Sequence, residues 1–313
     1  MAFTAQDVKA LREKTGVGMM ECKKALTETD GDMEKAIELL RERGLAAAAK
    51  KSGRIAAEGI VTAYTNETGN VGVVIEVNSE TDFVAKNEEF KKFVAVVAKV
   101  VADNNPADVD ALLEMKPEGS SDTVADMVRE KILVIGENIK IRRFARYEGK
   151  VVTYVHGDGR IGVMVNMDAS DEVAKTDAYK SAAKDVAMQV AAAFPLYLKE
   201  EDIPADVLEK EKFILKEQVI NEGKPENIAE KIVMGKLRKY MQDVCLMDQV
   251  YVKAEDGKQS VSKYIAEVGK AAGSPFTIKN FVRFEVGEGL EKKNEDFRSE
   301  ERRVGKECRS RWS

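Results

Sequence analysis

The sequence predicts an α+β fold, and three observations carry the prediction. A pair of β-forming runs joined by a glycine turn recurs 90 residues later, Val61 to Val77 and then Val151 to Met167, each time followed by an alanine- or valine-rich helical stretch. Apolar residues at helical spacing fill the first 55 residues in three short bursts. Two long charged helical patterns flank Gly223-Lys224-Pro225. The expected layout is a helical module over 1–55, a core whose subdomain N spans 56–145 and whose subdomain C spans 146–198 and 245–290, a helical hairpin inserted over 199–244, and a tail over 291–313.

Composition bounds the function. The chain has 313 residues, 44% hydrophobic and 34% charged, with a net charge of −5. That length suits several modules around more than one core. Lys and Arg are interspersed with Asp and Glu, so no basic footprint for direct nucleic-acid binding emerges. Cys22, Cys245 and Cys308 lie far apart and form no CxxC, which points to a reducing compartment and away from a disulfide scaffold or a zinc site. No apolar run approaches the roughly 20 residues of a membrane span. Met1 to Asp7 carry neither a basic n-region nor an apolar h-region. The expectation is a cytoplasmic protein without a membrane partner.

In the first module Val8 and Leu11 begin a helix that Thr15-Gly16-Val17-Gly18 breaks, since two glycines tolerate positive φ. Met20 to Thr29 form a second helix with Ala25 and Leu26 inward. Asp30-Gly31-Asp32 turns the chain and caps a third, on which Met33, Ala36, Ile37 and Leu40 share a face. The three-helix bundle resembles a ubiquitin-associated domain. Such bundles bind partners through the loop after the first helix, which here delivers Met19 and Met20, a flexible apolar pair. The plainer reading puts one of the two in the core. Leu45 to Arg54 reads as helix tail and linker; Lys50, Lys51 and Arg54 are too few, and lack the interleaved aromatics, for a nucleic-acid patch.

The core is a duplication. Tyr64, Gly69, Gly72 and Val73 align with Tyr154, Gly159, Gly162 and Val163, and Val71-Gly72-Val73-Val74-Ile75 matches Ile161-Gly162-Val163-Met164-Val165. Glu76 to Lys86 is the exit of a strand and the entry of a helix that bears Phe90, Phe93, Val94, Val97 and Val101 on one face. Thr81 and Asp82 suit such a junction, with its free N–H groups. Phe83 does not: its ring is either a core plug or an anchor for a partner. Asp171-Glu172-Val173-Ala174-Lys175 echoes Asp82-Phe83-Val84-Ala85-Lys86, but with Glu172 where Phe83 stands. A ring required by the fold would have been duplicated as something apolar.

Between the copies lie a loop at Pro117 to Asp122 and a helix with Val124, Met127, Val128 and Ile132 on one face. Gly136-Glu137-Asn138 then turns into a strand, Ile139 to Phe144, whose alternation of apolar and basic residues predicts one wet face. The second copy's helix runs from about Ala174 to Ala193 and stops before Pro195. Ile203-Pro204-Ala205-Asp206 opens the hairpin's first helix. Its second carries Ile228, Ile232, Val233, Leu237, Tyr240 and Val244 on one stripe. Val261 to Ala272 is another helix, and Thr277 to Val286 is a late strand of unassigned pairing.

No catalytic constellation appears. His156, the single histidine, sits in the turn His156-Gly157-Asp158-Gly159. There is no GxxxxGK[ST] loop and no GxGxxG between a strand and a helix. Asp168, Asp171 and Glu172 are better explained by a solvated turn than by a metal. The pattern points to a binding protein.

Leu11-Arg12-Glu13-Lys14-Thr15-Gly16-Val17-Gly18-Met19-Met20-Glu21-Cys22-Lys23-Lys24-Ala25-Leu26 resembles the first signature of the bacterial translation elongation factor Ts family, and Glu76 to Ala85 resembles the second. His156 to Gly162 and Phe284-Glu285-Val286-Gly287-Glu288-Gly289 are also similar to that family, over roughly residues 1 to 297. The resemblance implies a guanine-nucleotide exchange factor for the GTPase elongation factor Tu: not an enzyme, and with no cofactor or metal of its own. It implies that Thr81, Asp82, Phe83 and Val84 enter the GTPase near its nucleotide and dislodge Mg²⁺, and that Arg12, Met19, Met20 and His156 lie on further contact surfaces. Gln189 departs from a histidine common in the family, which puts any contact there in doubt. The hairpin leaves room for a homodimer. Two rivals remain, an adapter that binds through the bundle and an enzyme whose site the sequence hides. Arg298 to Ser313, with five arginines and Trp312, reads as vector-derived sequence outside the fold.

Overall fold

The structure, a computed structural model, describes residues 3–222 and 226–291, apart from the side chains of 226–228. The Gly223-Lys224-Pro225 turn and the segment 298–313, with Cys308 and Trp312, lie outside the described residues.

Three helices open the chain: α1 (Ala5–Thr15), α2 (Met19–Glu28) and α3 (Met33–Lys51). A capping box between Thr4 and Asp7 starts α1, and Gly16 ends it at φ 66° with its N–H on the Arg12 carbonyl. Asp32 caps α3 by accepting from the Glu34 and Lys35 amides. Val8, Leu11, Val17, Cys22, Leu26 and Leu40 form the bundle's core. The alanines prolong α3 to Lys51 as the expected helix tail, and the linker begins at Ser52. Alanine is the best helix former, and α3 has a surface to lie on: Gly44 approaches the Arg129 backbone, and Lys51 Nζ donates to the Ile132 carbonyl at 3.3 Å.

Two three-stranded antiparallel sheets follow. The first has the order β1 (Glu58–Thr65), β2 (Val71–Ser79), β3 (Lys140–Glu148); the second has β4 (Lys150–His156), β5 (Ile161–Asp168), β6 (Thr277–Glu285). In each, the repeat supplies a hairpin and a distant segment supplies the third strand. Both central strands carry a register shift at the same repeat position, Glu76/Val77 in β2 and Asn166/Met167 in β5.

One face of each sheet is covered by helices. Val73, Ile75 and Val77 pack against Phe90, Val94, Val97 and Val101 of α5 (Glu88–Asn104), with Leu112 of α6 (Val109–Glu114) and Ile132 of α7 (Val124–Ile135). Val163, Val165 and Met167 pack against α9 (Asp177–Ala193) and α12 (Val261–Ala271). The other faces meet each other through Val61, Val74, Val151, Met164, Phe284 and Val286. The aligned glycines make that approach close: a Cβ on Gly72 would overlap Val151, and one on Gly162 would overlap Val61.

Two expectations are corrected. The basic face of β3 is wet only at its start, where Lys140 is exposed: the Arg142 and Arg143 side chains are 22% and 30% exposed, because the second sheet's exit turn covers them and buried Glu76 pairs with both. The second copy's helix is two, α8 (Asp171–Lys175) and α9, because Thr176 stays extended, ends the first and caps the second through the Tyr179 amide.

The hairpin helices α10 (Ala205–Asn221) and α11 (Glu226–Val244) share a small core of Leu215, Val219, Ala229 and Val233. Their ends come together beside the second sheet's helix-covered core, where the Leu196 amide meets the Val244 carbonyl at 2.8 Å and the Leu246 amide meets the Tyr197 carbonyl at 2.9 Å. Among the described residues no helix is long and apolar enough to cross a membrane.

Candidate functional site

Strand β2 leaves the core at Ser79 and turns at Glu80 and Thr81 into the four-residue helix α4 (Asp82–Ala85). The turn is held by a residue 56 positions away. Glu137, at the corner between α7 and β3, accepts the Glu80 and Thr81 amides on one carboxylate oxygen, both at 3.0 Å, and the Thr81 hydroxyl on the other at 2.6 Å. Glu80 returns the contact by accepting the Asn138 amide at 2.7 Å and Arg54 Nη1 at 3.3 Å. Asn138 Nδ2 donates to the Arg54 carbonyl at 2.8 Å, so the linker from the bundle joins the same clasp.

Within α4 the side chains divide. Val84 is buried among the residues packed on β1, β2 and α5, and in this structure offers no free surface. Phe83 is 78% exposed. The core-plug reading is thereby excluded. Asp82 is exposed and pairs with Lys86 Nζ at 2.7 Å; that bond holds its carboxyl below the usual carboxylate range. Lys86 Nζ also stands 5.9 Å from the Phe83 ring centroid, within cation–π range. The Thr81 hydroxyl, committed to Glu137, does not cap α4. Asn87 immediately caps α5 through the Glu89 and Phe90 amides. The result is an apolar ring in solvent on one helical turn that is pinned at both ends.

The second copy repeats this turn without the ring. Val173 of α8 is buried like Val84, Ser170 caps the turn, and Glu172 is exposed where Phe83 is.

The remaining candidates lie elsewhere on the surface. Arg12 is exposed on α1, and Met19 and Met20, at the start of α2, are 51% and 66% exposed, so neither methionine is in the core. The bundle is fastened to the loop before α7 by Arg41 and Asp122. His156 ends β4, exposed, with the Tyr154 hydroxyl 3.0 Å from Nδ1. The loop after it is fastened to the first sheet by the Val61 amide on the Gly159 carbonyl at 2.7 Å, and to α5 by Lys91 and Asp158 at 3.4 Å. Gln189 is fully buried and satisfied internally, donating to Gln249 and the Val250 carbonyl and accepting the Val252 amide. It props the 249–252 loop and is not a surface contact.

Sequence reasoning missed Glu137, which read only as part of a turn. Nothing local marks a carboxylate whose partners are 56 and 57 residues distant.

A family model described as Elongation factor TS matches residues 80–288. Elongation factor Ts of Clostridium perfringens (strain SM101 / Type A) is 54% identical over 306 residues, covering 97% of this chain and 99% of the relative. The proteins of that name from Clostridium novyi (strain NT) and Clostridium acetobutylicum are 52% identical over 304 residues and 50% over 301, covering 96% and 95% of this chain and 98% and 97% of the relatives. At 97% coverage the first alignment extends past residue 297.

Proposed function

The chain belongs to the elongation factor Ts family of translation elongation factors, and from that premise we propose that it is the guanine-nucleotide exchange factor of elongation factor Tu. It binds the GTPase with GDP, dislodges Mg²⁺, promotes GDP release and stays bound until GTP enters. The observation that carries the reading is Phe83: an apolar ring 78% exposed on a pinned helical turn. A solvent-exposed aromatic on a rigid mount is costly to leave in water and well suited to fill a partner's pocket.

The physics needs no covalent step. A P-loop GTPase holds its nucleotide through Mg²⁺ and backbone N–H groups. Mg²⁺ demands near-ideal octahedral geometry, so a small displacement of its ligands releases it. A factor that binds the nucleotide-free GTPase more tightly weakens nucleotide binding by the same factor, because coupling is reciprocal. In this reading Phe83 is the inserted ring, exposed Asp82 disturbs the Mg²⁺ shell, and Thr81 and Val84 hold the turn. Arg12, Met19 and Met20 on the bundle and His156 on the second sheet make further contacts. The work is done in the cytoplasm, where translation runs, with no direct nucleic-acid or membrane partner.

Stopped-flow release of fluorescent GDP from elongation factor Tu tests the reading. Loss of a buried aromatic anchor costs about 2–4 kcal/mol, or roughly 30- to 700-fold. Phe83→Ala is expected to slow stimulated release on that scale at unchanged melting temperature. Wild-type stimulation by Phe83→Ala would overturn it.

A further inference from the structure

We infer that Glu137 is the positioning residue of this site: its carboxylate sets the direction in which Phe83 is presented. The inference rests on the exchange reading above and adds to it a residue outside the α4 turn.

A four-residue helix has no stability of its own, since nucleation alone is unfavourable and one turn adds almost no propagation. Something outside α4 must hold it. Burial of Val84 and the Asn87 cap of α5 hold the turn on the C-terminal side of Phe83. The hold on its N-terminal side is Glu137, which takes three hydrogen bonds from Glu80 and Thr81. Bonds to a charged acceptor are roughly twice as strong as neutral ones. They satisfy two amides that the strand has released and the helix has not yet taken up.

Glu137 is itself held. Gly136 ends α7 at φ 85°, where glycine is favoured, and places the next residue at the corner. The Asn138 amide is taken by Glu80, so each of two chain segments lends a carboxylate to the other's backbone. Because Asn138 Nδ2 and Glu80 also hold Arg54, the clasp joins the ring's mount to the linker of the bundle that carries Met19 and Met20. With the clasp closed, binding spends little free energy on ordering the turn.

A double-mutant cycle separates positioning from bulk stability. An amide at 137 has one acceptor oxygen where three donors converge, so Glu137→Gln leaves donors unpaired while keeping the side chain's shape. Each variant is assayed for stimulated GDP release from elongation factor Tu at a temperature where circular dichroism shows it fully folded. Glu137→Gln is expected to slow release about tenfold, the equivalent of about 1.4 kcal/mol, and to speed deuterium exchange at the Glu80 and Thr81 amides. In a Phe83→Ala background the same substitution should change release by less than about twofold, since residues that act as one unit are non-additive. If Glu137→Gln does not fold, Thr81→Val removes only the hydroxyl bond and should show a smaller loss with the same dependence on Phe83. An equal loss in both backgrounds, or no loss with Phe83 present, overturns the inference and leaves the exchange reading standing. A silent Phe83→Ala overturns both, and that outcome is read from the single variant alone.

Discussion

The Gly287 amide donates a 2.8 Å hydrogen bond to a carboxylate oxygen of Glu76, 211 residues earlier in the chain. The same fully buried carboxylate accepts Asn78 Nδ2 at 3.1 Å, Arg142 Nη1 at 3.0 Å and Arg143 Nε at 2.6 Å. Arg143 goes on to Glu288 at 2.9 Å and stacks on the Phe284 ring with its Cζ 4.3 Å from the centroid. One charge thus ties the strand that feeds the Phe83 turn to the last strand of the second sheet.

That tie predicts a large loss for a small change. Removing one partner of a buried ion pair costs about 3–5 kcal/mol. Glu76→Ala should fall at the low end of that range, because Arg142 and Arg143 are partly exposed and can turn to water. Urea unfolding would measure the loss, and deuterium exchange should rise first at the Gly287 amide. A variant as stable as the parent would mean that the two arginines and the turn hold without the carboxylate.

The aligned glycines make a second prediction. A Cβ at Gly72 would overlap the Val151 Cγ1 methyl and lie 2.9 Å from Met164 Sδ; one at Gly162 would overlap the Val61 Cγ1 methyl and lie 3.1 Å from Val74 Cγ1. Overpacking of this kind costs about 1–3 kcal/mol. Gly72→Ala and Gly162→Ala should each lower the denaturation midpoint. Val151→Ala should offset the first and Val61→Ala the second, so that each double variant loses less than the sum of its singles. Additive losses would show that the sheets do not meet at these residues.

These glycines also mark how far the sequence could be read. The 90-residue offset exposed the duplication and aligned Gly72 with Gly162, and the contrast of Phe83 with Glu172 singled out the exposed ring of α4. What stayed hidden depends on pairing across long separations. Lys140 and Arg142 alternate with Ile139 and Ile141 as a half-solvated strand would, and only the second sheet's exit turn at Gly287 shows why Arg142 and its neighbour Arg143 are covered. Val84 reads as a neighbour of Phe83 in a motif, yet successive residues on a helical turn point in different directions, and Val84 faces the core. Glu137 was invisible because an acidic residue in a turn is usually a solvated one.

Glu130 gives a pH-dependent prediction. It lies beneath the bundle, in a cavity of about 210 Å³ that Lys14, Thr15, Val17, Leu40 and Leu133 also line. Loss of water raises its carboxyl above the ordinary glutamate value, and its nearest cation, Lys131 Nζ, is 3.8 Å away. A carboxyl whose folded pKa is raised makes the native state bind more protons than the unfolded state, so its contribution to stability falls as pH rises from the unfolded value through the folded one. Glu130→Gln removes that loss. It should be more stable than the parent at neutral pH, and the advantage should vanish in acid below the ordinary glutamate value. Equal stabilities at both ends of a pH series of melts would refute it.

The second repeat supplies the sharpest substitution for the first. Glu172 shows that the turn folds with an acidic residue at this place, and Phe83 is 78% exposed, so Phe83→Glu removes little buried area. A carboxylate in the first turn of a helix is favoured by the free N–H groups there, and Lys86, whose Nζ is 5.9 Å from the present ring centroid, can turn toward it. Surface changes of this kind stay within about 0.5 kcal/mol, so the melting temperature should hold. Exchange should not. A charged side chain must lose its water to enter an apolar pocket, a penalty that Phe83→Ala does not incur, so Phe83→Glu should stimulate GDP release from elongation factor Tu no better than Phe83→Ala and bind the nucleotide-free GTPase more weakly. Phe83→Leu, which keeps an apolar side chain, should retain more activity than either. Melts and GDP-release traces on the same preparations decide the matter. A Phe83→Glu protein that melts early would place the ring's contribution in the fold, and one that stimulates release like the parent would take Phe83 out of the contact altogether.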